Sequence, residues 1–408
     1  MANQNSNNYN SVNYSYLHYF NPGHEAAVMN GSPFYQSPAN VQTMQRELAF
    51  LPAWYAQNTD FVLVDADFDF DFFEKLKKNL PSLPQPISFI PHNNPFDSLR
   101  AACWGISPAA IHFFEKIKTE NVIDLQIPQW KCEFRHLASR TTANECLIYL
   151  KNKIPAIQVA VPQFVTSMQE AENLINNANE MLIVKSPFSS SGRGILRINP
   201  QDFNRATRQI LQGWLNRQGC VSIEPMLCKV LDFALEFRCN DSSTVEFAGY
   251  SLFETDEKGS YTGNILNSQE NIKKVIIKYI DIQLISNIKI EIRKFLQKKY
   301  KNYSGYLGVD MLIYNFENQY FIYPCVEINM RANMGILAVN LVKNFLFSAK
   351  SGRFTVNYDK ITGNILKHHQ EMTKKFPPRF TSGKLLEGYL PLCPVSKNSK
   401  YWAYVIVN

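Results

Sequence analysis

Two apolar runs near residue 320 each carry one acidic side chain, and this arrangement restricts the fold more than any other part of the chain. The first run, residues 308–314, is interrupted by Asp310, and the second, residues 320–331, by Glu327. Two runs of strand-forming residues around a short polar break predict a β-hairpin. A tight turn at Asn318–Gln319 would set the two acids opposite each other. A register slip of two residues would still leave both acids on one face.

Facing carboxylates need a partner, because at about 5 Å and an effective dielectric constant near 20 they repel by roughly 3 kcal/mol. One acid can take up a proton, or a cation can bind between them. Asn329 and Arg331 share a strand face with Glu327. The oxygen atoms of Asp310, Glu327 and Asn329 suit Mg²⁺, and Arg331 suits a phosphate. A solvated strand face is the alternative, but the four residues together favour a magnesium–phosphate site.

Length and termini indicate a multidomain protein that is expected in the cytoplasm. The 408 residues suggest two or three domains, or one large enzyme with subdomains. The N-terminus has no secretory signal, and residues 1–13 are expected to be a disordered leader. No apolar run approaches the roughly 18 residues that span a bilayer, so no membrane contact is predicted. The eight cysteines form no C-x-x-C pair and are expected to be reduced.

The net charge of +7 is compatible with an anionic ligand, but much of the excess lies in residues 273–301. A solvated basic helix explains this segment. A nucleic-acid partner is the less favoured alternative, and strong salt-dependent binding would be its signature.

The first 130 residues alternate strand and helix patterns, which predicts a parallel α/β domain. A first strand over residues 14–20 runs into a turn-forming loop, Asn21–Glu25. Ligands often bind where the first strand of such a domain ends. His24 and Glu25 are therefore candidates for substrate contact, although exposed loop positions are an equal alternative.

A second group of basic and small residues suits phosphate. Arg140 lies at the N-terminal edge of a predicted helix, where backbone N–H groups attract anions. Lys185 ends a strand and precedes a loop whose small residues let the backbone approach a phosphate. No Walker A or G-x-G-x-x-G motif is present, and the loop alone is typical of a flexible connection. The loop residues of interest are Ser189, Ser190, Ser191, Gly192, Arg193 and Gly194.

In order and spacing, these pieces resemble the ATP-grasp superfamily over residues 135–340. The resemblance implies that Arg140 takes the place of a basic residue before the central domain, and that Lys185 and residues 189–194 form the lysine and the phosphate-covering lid. It implies an adenine-binding hinge at Glu224–Leu227, with Glu224 accepting from the adenine amino group and the backbone near Met226 and Leu227 completing the contact. It also implies Mg²⁺ bound by Asp310, Glu327 and Asn329.

The resemblance further implies the fold class and its boundaries. The chain is expected to be α/β, with α+β character in the ATP-grasp part. A parallel pre-ATP-grasp domain over residues 14–134 would precede an ATP-grasp region over residues 135–408. That region would divide into a lid subdomain, 155–225, and a C-terminal subdomain, 226–408.

The sequence departs from the family pattern at two places. After the hinge the chain reads Cys228–Asp232 without the usual glycine, which leaves Asp232 as the ribose candidate and Glu236 as the alternative. After Arg331, where the family often carries proline and glycine, the chain reads Ala332-Asn333-Met334-Gly335, so the acceptor pocket is expected to be unusual. Arg331 and Arg238 are the candidate catalytic cations, although Arg238 could instead pair with a surface acid.

The activity that the resemblance implies is that of an ATP-dependent ligase. ATP would phosphorylate a substrate carboxylate, and an amine or similar nucleophile would then attack the acyl phosphate to form an amide-like C–N bond. Both substrates would be small molecules, placed between the first loop and the hairpin acids. A protein that binds ATP only as a sensor or scaffold is the alternative, and a homodimer is left open.

Overall fold

The computed structural model describes residues 14–88, 99–189, 194–257 and 259–408. The expected leader, residues 1–13, and the end of the predicted strand at residues 87–90 lie outside these ranges. In the described part of the chain, no helix is long and apolar enough to cross a membrane.

The N-terminal part is a parallel sheet with the strand order β3-β2-β1-β4-β5. Helices connect its strands, as the alternating pattern predicts. The strands are β1 Ser15–Tyr19, β2 Phe61–Leu63, β3 Gln85–Ile87, β4 Leu99–Cys103 and β5 Leu125–Gln126. The helices are α1 His24–Asn30, α2 Ala39–Glu47, α3 Phe70–Asn79 and α4 Pro108–Asn121, with a 3₁₀ turn at Leu51–Trp54.

Two helices then lead to a small antiparallel sheet with its own core. The helices are α5 Glu133–Leu137 and α6 Arg140–Lys153, and Ser139 caps α6. The described strands of the small sheet lie in the order β6-β9-β7-β8, and two helices pack on it. These elements are β6 Gln163–Val165, α7 Met168–Asn176, β7 Leu182–Lys185, β8 Ile195–Ile198, α8 Arg205–Gln218 and β9 Val221–Pro225, with a 3₁₀ turn at Pro200–Asp202.

The C-terminal part is an antiparallel sheet of nine described strands, in the order β14-β13-β10-β11-β12-β15-β18-β17-β16. Its strands are β10 Cys228–Cys239, β11 Val245–Thr255, β12 Tyr261–Leu266, β13 Gly305–Phe316, β14 Gln319–Asn329, β15 Gly352–Tyr358, β16 Arg379–Thr381, β17 Lys384–Pro391 and β18 Tyr401–Val407. Its helices are α9 Gln269–Ile276, α10 Ile282–Lys299, α11 Met334–Asn340 and α12 Asn364–Lys375, with a π-helical turn at Leu341–Phe345.

The hairpin of β13 and β14 pairs Asp310 with Glu327 as predicted, but the turn prediction is wrong by one residue. Phe316 pairs with Gln319, so Glu317 and Asn318 form the turn. Both have positive φ, 50° and 62°, which is typical of a type I′ turn. Further along the hairpin, Pro324–Val326 opposes the single residue Met311. This bulge adds two residues to β14 and thereby restores the pairing of the acids.

The N-terminal sheet does not have a core entirely of its own. One buried cluster joins residues of its β2–α3 region to α11 and to strands β15, β17 and β18. The Trp54 indole Nε1 donates to the Leu392 carbonyl at 2.9 Å, and the Ala332 N–H donates to the Trp104 carbonyl at 2.7 Å. The first part of the chain is therefore anchored beside the residues that follow Arg331.

Candidate functional site

The predicted acidic pair forms the centre of a polar cluster on one face of the large sheet. Asp310 and Glu327 are paired neighbours on β13 and β14. Asn329, two residues along the same face, donates its amide to the Asp310 carboxylate at 3.0 Å. Arg331 donates to the Asn329 side-chain oxygen at 3.0 Å. Asp310, Asn329 and Arg331 thus form one hydrogen-bonded chain, and Glu327 lies beside it as the strand-paired neighbour of Asp310.

The repulsion between the two carboxylates is relieved in two ways. Burial, reinforced by the neighbouring Glu327 and Glu236, raises the pKa of Asp310 well above its ordinary value, which favours a protonated carboxyl. Glu327 instead forms an ion pair with Arg140 at 2.9 Å. Because the Arg140 side chain is only 7% exposed, its guanidinium is a strong partner for that carboxylate.

Arg140 links the acidic pair to the small sheet. Its guanidinium donates to the Ser186 carbonyl at 2.6 Å and to the Ser189 hydroxyl at 2.7 Å. Its Nε is buried and has no hydrogen-bond partner among the described residues. A phosphate oxygen near this nitrogen would be stabilised by a charge-assisted hydrogen bond.

The loop after β1 meets the hairpin directly. Glu25, in the first turn of α1, forms an ion pair with Arg331. Burial alone would raise the pKa of Glu25, but Arg331 overcomes that effect and lowers it. Glu25 is one of the two loop residues considered for substrate contact. An incoming carboxylate or phosphate at Arg331 would therefore have to share the guanidinium with Glu25 or displace it.

The other loop candidate, His24, is packed beneath this ion pair. Its ring is 1% exposed and lies against Gly105, where an added Cβ would come within 2.3 Å of the ring. Burial lowers the pKa of His24 to about 4, so the imidazole is neutral near pH 7. Asn21 fixes the loop by exchanging two hydrogen bonds with the Gly105 backbone.

A third carboxylate, Glu236 on β10, lies on the same face as Asp310. It accepts hydrogen bonds from Asn333 at 2.9 Å and from Ser251 at 2.8 Å. Burial raises the pKa of Glu236 to about 7. Gly335 is required here because a Cβ would come within 1.9 Å of the Glu236 carboxylate. The residues after Arg331 therefore build a carboxylate pocket, and Glu236 faces Asp310 and Arg331, not the predicted ribose position.

The hinge and lysine candidates also lie together, on the small sheet. Lys185 forms an ion pair with Glu224, and the Tyr323 hydroxyl donates to the same carboxylate at 2.8 Å. The Met226 N–H donates to the Met181 carbonyl at 2.8 Å. Leu227 lies in the link between β9 and β10 and packs against the core of the large sheet. The Met226 N–H is thus already used by a hydrogen bond within the protein.

The phosphate loop is described only at its ends. Ser189 binds Arg140, and the Gly194 carbonyl accepts from the Ser186 N–H at 3.0 Å. Gly194 needs to be glycine because a Cβ would lie 2.2 Å from the Ser186 hydroxyl. The other predicted loop residues, Ser190, Ser191, Gly192 and Arg193, lie outside the described part of the chain.

Two predicted residues are not brought into the acidic cluster. Asp232 on β10 forms an ion pair with Lys229 and accepts from the Thr255 hydroxyl at 3.0 Å. Arg238 pairs with Tyr306 in the sheet register, whereas Ala234 pairs with Asp310. The backbone of Arg238 therefore lies about 13 Å along the strand from the acidic pair.

Sequence reasoning missed several residues that support the cluster. Ser186, Ser251, Tyr323 and Asn333 all bind predicted site residues through hydrogen bonds. Only Asn333 carried a local signal, since it caps α11 by accepting from the Ile336 N–H at 2.9 Å. The other three lie on strands or loops distant in sequence from their partners.

The donor set fits a magnesium ion with a bound phosphate. Mg²⁺ in proteins is commonly held by one or two carboxylates, with phosphate oxygens and water completing its shell. Asp310, Glu327 and Asn329 offer two carboxylates and one amide oxygen. In the described part of the chain, no group of three or more His, Cys, Asp or Glu side chains could hold a metal ion without other donors. Phosphate oxygens and water would complete the shell of a cation bound here.

Comparisons with known proteins identify the fold. No protein-family model matches this chain, and neither does any curated protein sequence. Among solved structures, a biotin carboxylase from Campylobacter jejuni in complex with β-γ-ATP aligns with a TM-score of 0.51 and 10% identity, over 98% of this chain and 88% of that one. An N5-carboxyaminoimidazole synthetase from Staphylococcus aureus complexed with ADP aligns with a TM-score of 0.48 and 15% identity, over 99% and 96% of the two chains.

The biotin carboxylase match, with its TM-score of 0.51 over nearly the whole chain, shows that this chain shares the overall fold of that structure. The predicted fold class, a parallel N-terminal α/β domain followed by an ATP-grasp fold, is confirmed. At 10% identity the similarity extends to the fold alone, so the activity of this chain is a separate question.

Proposed function

We propose that this protein is an ATP-dependent ligase that activates a substrate carboxylate as an acyl phosphate and forms an amide-like C–N bond. The observation that carries the proposal is the facing pair Asp310 and Glu327, flanked by Arg140 and Arg331, on an ATP-grasp fold. An acidic pair flanked by the buried guanidinium of Arg140 and the half-buried one of Arg331 is an arrangement suited to a metal–nucleotide complex.

The nucleotide would lie between the small sheet and the acidic pair. Lys185, Arg140, Ser189 and Gly194 would contact phosphate oxygens, with Ser190, Ser191, Gly192 and Arg193 covering them. Glu224, Met226 and Leu227 would face adenine, and Asp232 the ribose. Asp310, Glu327 and Asn329 would hold Mg²⁺, which when bound neutralises charge on the phosphoryl group that is transferred.

Arg331 would bind the acid substrate. Its guanidinium is fixed by Glu25 and Asn329, so it is held in place before any substrate arrives. Transfer of the terminal phosphoryl group of ATP to the carboxylate would give an acyl phosphate and ADP. The amine would then attack the acyl carbon and release inorganic phosphate. The chain's own residues contribute by positioning and by charge stabilisation.

Replacing Glu327 by Gln tests the proposal. The amide oxygen of Gln still accepts from Arg140, so the fold is expected to remain intact. Loss of one metal-binding charge should lower ATP-dependent phosphate release, measured with a panel of carboxylic acids and amines, by at least about 100-fold. The matched control, Glu371→Gln on the exposed face of α12, should keep wild-type turnover.

Undiminished turnover in Glu327→Gln would remove the metal assignment. A wild-type protein that binds Mg-ATP in calorimetry, yet releases no phosphate with any acid and amine pair, would favour the sensor or scaffold function instead. The ligase proposal includes a cytoplasmic location and small-molecule substrates. Sedimentation analysis would decide between a monomer and a homodimer.

A further inference from the structure

A cavity of about 590 Å³ lies between the parallel N-terminal sheet and the far end of the large sheet, outside the proposed nucleotide site. This volume is in the range of small-molecule sites. Its walls come from β1 and β4 on one side and from the β10–β11 and α10–β13 connections on the other. Aromatic and charged side chains line it, among them Tyr55, Tyr306, Asp60, Arg100, Arg238 and Asp241.

Most of the charges in this cavity are already compensated. Arg100 forms an ion pair with Asp241 at 2.8 Å and stacks on the Tyr14 ring. Asp60 accepts from His18 at 3.1 Å and from two backbone N–H groups, those of Tyr16 and Gln57. These partners satisfy the buried carboxylate, so it does not require a ligand.

Arg238 is the exception. Among the described residues, no carboxylate lies within ion-pair distance of its guanidinium, and the contact found for it is the Tyr306 ring, 5.9 Å from the guanidinium carbon. The side chain is exposed to the cavity. A guanidinium binds carboxylate and phosphate groups through paired hydrogen bonds, and it is weakly hydrated enough to exchange water for an anion.

Aromatic rings also line this cavity, and the half-buried Tyr306 ring lies beside Arg238, where a planar group could contact it. Tyr55 contacts the rings of Trp104 and Tyr306 at centroid distances of 5.9 and 5.5 Å, and also the His18 ring at 5.4 Å. A flat ligand beside them would gain offset or edge-to-face contacts. A neutral ligand would leave Arg238 uncompensated, and a purely inorganic anion would leave the aromatic wall unused.

We propose that this cavity is a second ligand site, which binds a small organic anion that carries a planar ring, with Arg238 as its anion anchor. The anionic group is a carboxylate or a phosphate, both of which fit the same guanidinium. The site is independent of the proposed ligase reaction, because none of its lining residues is assigned to the magnesium–nucleotide cluster.

Calorimetric titration with phenyl phosphate and with benzoate tests the proposal, and benzyl alcohol serves as the neutral analogue. We expect saturable binding of at least one of the two anions and none of benzyl alcohol. The anion that binds more tightly identifies the preferred group. Replacing Arg238 by Gln should weaken that binding about tenfold or more, because a charge-assisted hydrogen bond is lost. Arg238→Lys should retain part of it, since the charge remains without the planar fork.

Arg217→Gln is the matched control, since it removes the same charge from an exposed position on α8 and should bind the anion like the wild type. Anion binding that is unchanged in Arg238→Gln would place the ligand elsewhere and overturn the proposal. Absence of binding by both anions, or equal binding of benzyl alcohol, would overturn it as well.

Discussion

At the scale of single residues, the partner of a buried carboxylate decides whether its pKa falls or rises. Glu25 is buried beside Arg331, and its pKa is lowered. Glu236 is equally buried but takes its hydrogen bonds from an amide and a hydroxyl, and its pKa rises from 4.5 to about 7. A guanidinium charge compensates a buried carboxylate for its lost hydration, whereas neutral hydrogen-bond donors do not compensate it fully. Glu236 is therefore only partly ionised at neutral pH.

This pKa shift predicts a pH-dependent stability that Glu236→Gln removes. The folded-state pKa exceeds the unfolded one, so the wild type is expected to lose stability relative to the variant as pH rises from about 4.5 to about 7, and no further above that. The total change should be at most about 3 kcal/mol in the free energy of unfolding. Urea unfolding at a series of pH values measures it, with Glu371→Gln as the exposed control. If the free energy of unfolding changes with pH in the same way for the wild type and Glu236→Gln, the raised pKa of Glu236 is contradicted.

At the scale of elements, the hairpin combines a strained turn with a bulge. Glu317 occupies the first central position of the turn at φ 50°, a conformation that favours Asn or Gly over Glu. The bulge at Pro324–Val326 then compensates for the position of this turn. The pairing of Asp310 with Glu327 thus depends on two local irregularities, the shifted turn and the bulge, whose effects on the strand register cancel.

Relieving the turn should stabilise the hairpin. Glu317→Asn is expected to raise the free energy of unfolding by about 0.5–1 kcal/mol, because Asn tolerates positive φ better than Glu. Chemical denaturation measures the change. Gln319→Asn, at the paired strand position next to the turn, is the control and should be neutral or destabilising, since Asn is disfavoured in strands. A loss of stability in Glu317→Asn would contradict the predicted relief of strain.

At the scale of the whole molecule, the buried hydrophobic clusters group elements that are far apart in the sequence. The N-terminal sheet and the last strands share one core, while the small sheet has a separate core around Leu211, Trp214 and Ile223. Elements that share a core are expected to open together, and those with separate cores can open independently. The small sheet is therefore expected to open independently of the N-terminal sheet and the last strands.

Trp54→Ala tests this coupling. Removing a fully buried Trp should cost about 3–5 kcal/mol, and it also leaves the Leu392 carbonyl without its donor. Hydrogen exchange should accelerate together in β2 and in β17–β18, with β6–β9 unchanged. Leu211→Ala, the matched core truncation, should accelerate exchange in the small sheet instead. Faster exchange confined to the neighbourhood of residue 54 would argue against a shared core.

The sequence alone determined the alternation of strands and helices before residue 130, the two strands that carry Asp310 and Glu327, and the ATP-grasp resemblance. These features are local, because periodicity, turn residues and the spacing along one strand are set by neighbours in the chain. The sequence could not place the turn or the bulge. The position of both is set by the pairing of residues across the two strands, which is not a local property of the chain.

Only the tertiary structure decided which groups neutralise one another. The pairing of Arg140 with Glu327, of Arg331 with Glu25 and of Lys185 with Glu224 joins residues far apart in sequence. The same is true of the cavity around Arg238, whose walls come from two sheets. Charge, burial and solvation at these positions depend on which surfaces come into contact when the chain folds. A local pattern of residues does not predict these contacts.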